Sequence, residues 1–161
     1  MPVDVIAAAA TLDEAHRAAL LALCAGRSDL LAHAVRAVEP KSPLRPLGML
    51  CGEDAMAYAA LGSALSRLDP PGTGLTRAAV RERRSVWIPS IAEPASFVRR
   101  DLLARHGILS GAAFPITVGP KMAAVLELLC FGTLEGDLAV EVAAAAVIAG
   151  LQAATRRLWE H

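Results

Sequence analysis

Apolar positions recur at helical spacing near both ends of the chain and fall into short runs between them. Leu12, Ala15, Ala19 and Leu23 share one stripe, which predicts a helix over about 12–24. Thr11 is its expected N-cap, and Glu14 three residues on completes a capping box. Gly26 is read as the stop of this helix and Ser28 as the cap of a second one. Leu30, Leu31, Ala34, Val35 and Val38 would form the buried face of that second helix. Pro40, Pro43 and Pro46 then forbid helix and predict a loop.

From Leu47 the apolar runs shorten. Leu47–Cys51 and Ala55–Leu61 read as two strands joined by the turn Gly52-Glu53-Asp54. Pro70-Pro71-Gly72-Thr73-Gly74 reads as a turn, Thr76–Arg83 as a short helix, and Val86-Trp87-Ile88 as a brief strand stopped by Pro89. A helix is expected over 94–105, anchored by Phe97, Leu102 and Leu103 and stopped by Gly107. Ser110–Val118 and Met122–Phe131 read as strands across the Gly119-Pro120 turn. The second is apolar on both faces except at Glu127, as a central strand is.

The last helix is expected over 137–159. Val140, Ala144, Val147, Leu151, Ala154 and Leu158 recur at alternating spacings of four and three, a coiled-coil-like seam. Leu138, Val142, Ala145 and Ala149 supply a second apolar stripe. A helix apolar on two sides needs two covers. One expected cover is the chain's own sheet; the other is the N-terminal helix, which would leave a monomer, or a second subunit, and a homodimer joined through the terminal helices is the expected outcome.

Together these elements predict one α/β (α+β) domain over 1–161. Helices occupy 1–40, the sheet and its short helices 47–131, and the final helix 137–160. Strands joined by short turns imply an antiparallel sheet of five or six strands, with terminal helices on one face and short helices and loops on the other. Composition narrows the function. Sixteen basic and sixteen acidic residues cancel, and aromatics make up only 4% of the chain. Neither a long-range field nor stacking platforms are offered to nucleic acid, so no nucleic-acid partner is expected. The run from Pro2 to Ala10 lacks the basic flank of a signal peptide and is interrupted by Asp4, and no uncharged stretch is long enough to span a bilayer. A cytoplasmic protein with no membrane partner is therefore expected. Cys24, Cys51 and Cys130 are odd in number and widely spaced, without zinc-ligand spacing, which suits a reducing compartment.

The series Gly72-Thr73-Gly74-Leu75, Val86-Trp87-Ile88-Pro89, Arg105-His106-Gly107-Ile108, Ala113-Phe114-Pro115-Ile116 and Val125-Leu126-Glu127-Leu128 resembles GAF domains, especially those attached to bacterial histidine kinases. The resemblance spans roughly 72–131. It departs from the family's usual pattern at Arg77-Ala78 and Ala123-Ala124, where a glycine is usual, and at Ser90, where an Asp is usual.

The resemblance implies a stand-alone bacterial signalling domain that binds a small molecule or a signalling partner protein. A scaffold that dimerises without ligand is the alternative. The residues it places near the family's ligand cavity are Trp87, Phe97, Arg99, Arg100, His106, Phe114 and Glu127. No cofactor is specified: the cyclic-nucleotide signature is missing, no cysteine is followed by His as in bilin-binding relatives, and His106 is the candidate axial ligand for haem. A cysteine-dependent methionine-sulfoxide reductase is the enzymatic relative, requiring a reactive thiolate at the cavity. With no nucleophile–base pair at recognisable spacing and no metal cluster, a non-enzymatic role is expected.

Overall fold

The computed structural model describes residues 2–53, 59, 61–62, 74–93, 100–134 and 136–161. Helices α1 (Pro2–Ala8) and α2 (Leu12–Cys24) lead into strands β1 (Leu30–Arg36) and β2 (Arg45–Cys51). Then come α3 (Leu75–Glu82), β3 (Val86–Ile88), α4 (Arg100–Arg105), β4 (Ser110–Val118), β5 (Lys121–Cys130) and α5 (Leu138–Trp159). The sheet has five strands in the order β2-β1-β5-β4-β3, and every neighbouring pair is antiparallel. The expected fold class is thus the observed one, and two layers of core lie one on each face of this sheet, the terminal helices closing one of them.

The local signals at α2 work as read: Thr11 Oγ1 accepts from the Glu14 amide at 3.2 Å, and Glu14 returns to the Ala10 amide at 2.9 Å. The second predicted helix is wrong. Leu30–Arg36 is strand β1, hydrogen-bonded between β2 and β5. Leu30, Ala32 and Ala34 pack toward the terminal helices while Leu31 and Val35 pack on the opposite face. A strand buried on both faces is apolar throughout, and periodicity alone does not separate it from a buried helix. The predicted hairpin of 47–51 with 55–61 also fails. Cys51 lies opposite Ala32 of β1, and the described residues Ala59, Leu61 and Gly62 are helical; the rest of 55–61 lies outside the described residues. Pro46, assigned to a loop, lies in β2 opposite Val35. An edge strand tolerates a proline because one side needs no ladder donor. The Pro70–Thr73 turn and residues 94–99 of the expected helix lie outside the described residues; Arg100–Arg105 is helical.

At the N-terminus the run without a predicted role forms α1, with Pro2 in its first turn and Ile6 fully buried. It docks on α5 at Gly150, where an added Cβ would sit 3.0 Å from Ile6 Cβ and 3.2 Å from the Val3 carbonyl oxygen. Only a residue without a side chain permits that approach. Helix α5 starts on an Asp137 cap, whose Oδ1 accepts from the Val140 amide at 3.1 Å. With a mean hydropathy of 1.7 it is long and apolar enough to cross a membrane. Here Val140, Ala144, Val147, Leu151 and Ala154 are buried in the core on the sheet. The seam from which a dimer was argued is therefore spent inside the chain. The second stripe is the open one, with Leu138 70% and Val142 63% exposed and Ala145 and Ala149 also exposed.

Candidate functional site

The polar exception of β5 sits at the centre of the sheet. Glu127 lies in register with His33 on β1 and with Ala113 on β4. Along each strand, side chains alternate between faces. Glu127 and His33 therefore share the short-helix face with Leu31, Val35, Val125, Leu129 and Ala113. Glu127 is 1% exposed, and a carboxylate buried that deeply costs several kcal/mol unless its oxygens are satisfied. Its Oε1 lies 3.0 Å from His33 Nε2, and its Oε2 accepts from the Thr76 hydroxyl at 2.7 Å.

Thr76 reaches the sheet because α3 begins low over it. Gly74, with φ 68°, turns the chain into α3. Gly111 of β4 leaves room for Leu75, whose Cδ2 would lie 3.0 Å from a Cβ at that position. The result is a polar row, His33–Glu127–Thr76, linking β1, β5 and α3 and set among the apolar residues of that face described above. Glu127 orients the imidazole through Nε2. The other ring nitrogen, Nδ1, has no hydrogen-bond partner among the described residues, and the side chain keeps 12% exposure. An imidazole held this way has its tautomer set by the carboxylate and one nitrogen left for a second partner.

The other sequence-predicted site residues do not join this row. Trp87 and Phe114 form an edge-to-face pair, ring centroids 5.4 Å apart, in the core under the terminal helices. They lie on the face opposite Glu127, which corrects their grouping with it. Arg100 pairs with the neighbouring carboxylate of Asp101 at 3.3 Å on the surface. His106 ends α4, its amide bonded to the Leu103 carbonyl at 3.0 Å. Phe97 and Arg99 lie outside the described residues. Reasoning from the sequence missed His33 and Thr76, because β1 was read as a helix and α3 could not be positioned over the sheet.

All three cysteines of the chain lie on the terminal-helix side, in the core containing Ala32, Phe114 and Leu128. Burial pushes the Cys24 thiol up to about 12 and raises Cys51 and Cys130 as well. Thiols held protonated are poor nucleophiles. Among the described residues no cluster of three His, Cys, Asp or Glu suits a metal ion.

No family model and no curated protein matches the sequence. Solved structures do match it in shape. A GAF domain/HD domain protein from Geobacter sulfurreducens is similar with a TM-score of 0.69 at 10% identity, covering 99% of each chain. The GAF domain of a two-component sensor histidine kinase from Bacillus halodurans is similar at 0.60 and 16% identity, covering 86% of this chain and 87% of that one. Free methionine-R-sulfoxide reductase from Neisseria meningitidis, solved with its substrate, is similar at 0.60 and 14% identity, covering 98% of this chain and 87% of that one. With the antiparallel order β2-β1-β5-β4-β3 between its helical layers, this chain has the GAF fold.

Proposed function

We propose that the chain is a regulatory GAF-type domain that receives a small molecule on its short-helix face, at His33, Glu127 and Thr76. The observation carrying this reading is the buried carboxylate tied to an imidazole whose second nitrogen has no partner among the described residues, next to the apolar cluster of Leu31, Val35, Val125 and Leu129. A few convergent polar groups in an apolar setting are what orient a small ligand. The ligand contact is a hydrogen bond at His33 Nδ1, with Glu127 as positioning residue. The cysteine-dependent reductase reading has less support, since the thiols lie across the sheet from this row and are held protonated. Three free thiols accord with a cytoplasmic location.

A thermal-shift screen of small polar metabolites tests this reading. A ligand present at 100 times its Kd stabilises by about 2.7 kcal/mol, a readily measured rise in Tm. Compounds that raise the Tm of the wild type should leave a His33→Leu, Glu127→Leu, Thr76→Val triple variant unmoved; equal shifts in both would reject the site.

A second reading concerns assembly. The open stripe Leu138, Val142, Ala145 and Ala149 on α5 favours a homodimer joined through the terminal helices, or a protein partner at the same place. Signalling would then pass from the sheet to α5 and across that contact.

A further inference from the structure

A thiol and a thioether meet beneath the β2 edge of the sheet, on the side away from His33 and Glu127, and a second thiol reaches the same strand. Met49 and Cys51 are two residues apart on β2 and so point to the same face. The Cys51 thiol lies 3.2 Å from the Met49 thioether sulfur. Cys24, at the end of α2, donates its thiol to the Cys51 carbonyl at 3.4 Å. Cys24 is 4% and Cys51 6% exposed, whereas Met49 is half-buried and β2 is an edge strand. The cluster thus lies just below the surface rather than at the centre of the core. Arg17, exposed on α2, lies close enough for its charge to favour a thiolate at Cys51.

Two thiols and one thioether make a soft, all-sulfur donor set. Divalent zinc prefers thiolate with imidazole or a fourth thiolate, whereas thioether joined to thiolate selects monovalent copper. We propose that Cys24, Cys51 and Met49 form a binding site for Cu(I). Binding would exchange the two thiol protons for the metal: two Cys–SH and Cu(I) give a bis-thiolate copper centre of net charge −1 and two released protons. The Arg17 guanidinium offsets the remaining negative charge.

The test is anaerobic titration of the fully reduced protein with Cu(I) against a colorimetric Cu(I) chelator. One equivalent should bind per chain. Loss of a direct ligand in Cys51→Ala should weaken binding by at least about 100-fold, the upper end of what second-shell changes cost. Met49→Leu, which conserves volume, should weaken it measurably while leaving the near-ultraviolet circular dichroism unchanged. Cys130→Ser should bind as the wild type does, since that thiol contacts Asp29 and Gly132 instead. X-ray absorption of the loaded wild type should show sulfur neighbours alone. Absence of a one-equivalent site, unchanged affinity in Met49→Leu and Cys51→Ala, nitrogen or oxygen ligands at the metal, or equally tight Zn(II) binding would each overturn the proposal.

Discussion

The two faces of the sheet treat polar groups differently. Under the terminal helices, Phe114, Leu126, Leu128, Val147 and Leu151 fill a continuous apolar layer. Several polar atoms caught there lack a partner among the described residues: His16 Nε2, Arg36 Nε and Thr155 Oγ1 are buried without a hydrogen bond, although Ser110 Oγ donates to the Gly132 carbonyl and His16 Nδ1 lies 2.7 Å from the Leu12 carbonyl oxygen. On the short-helix face, Glu127 is as deeply buried, yet both of its oxygens are engaged, by side chains from β1 and α3. Unpaired atoms are what a packing layer leaves behind where apolar burial dominates. A satisfied carboxylate drawing on two other elements is an arrangement, and it is on that face that the ligand is proposed.

The sharpest way to break the contrast is to place a charge in the packing layer. Leu151 is fully buried, so Leu151→Glu should abolish cooperative folding by adding an unpaired buried carboxylate, at several kcal/mol, to the lost apolar burial. A folded Leu151→Glu protein by circular dichroism and urea denaturation would mean that α5 is not docked as described.

On the other face, breaking the row should cost less but still clearly. Glu127→Ala should destabilise by about 3–5 kcal/mol, as removal of one partner from a buried polar pair does. The triple variant, which removes all three polar groups together, should recover most of that loss in the same denaturation assay. Equal losses in the single and triple variants would argue against the pairing.

A third comparison uses pH. Burial holds the His16 imidazole below its ordinary 6.5, with the nearby Arg36 charge acting in the same direction. The unfolded chain therefore takes up a proton before the folded one. Stability contributed by neutral His16 is complete above about pH 6.5 and declines as pH falls below it, by up to about 1.4 kcal/mol for each unit of depression. A His16→Gln variant should show a flatter stability profile between pH 7 and pH 5 in urea titrations.

The smallest effect on folding is expected at the open stripe. Val142→Glu should leave unfolding free energy within about 0.5 kcal/mol of the wild type, measured at a concentration where both are monomers. In sedimentation at high micromolar concentration the wild type should be a dimer and Val142→Glu a monomer. A monomeric wild type would remove the dimer.

Much of this contrast was legible in the sequence, and the omissions have physical causes. The solitary Glu127 in an apolar strand pointed to a carboxylate that must find a partner, α5 followed from its four-three apolar spacing, and the β4–β5 hairpin followed from its apolar runs and the Gly119-Pro120 turn. Helix α1 did not, because an Ala-rich run of nine carries little pattern and its docking depends on Gly150, 144 residues from Ile6. His33 was hidden by the misreading of β1. Seen as a strand, Leu31, His33 and Val35 share one parity, so a single polar position on that face would have paired naturally with Glu127. That Trp87 and Phe114 lie across the sheet from Glu127 was not legible, because the motifs fix the order of strands but not which parity meets the terminal helices.

The central claim is that the His33–Glu127–Thr76 row receives a small organic ligand. Native mass spectrometry of freshly purified protein tests it most directly, comparing the wild type with the His33→Leu, Glu127→Leu, Thr76→Val variant. The account predicts a discrete non-protein mass retained by the folded wild type and lost from the folded variant. The same mass on both proteins, or none on either under gentle desolvation, would contradict it.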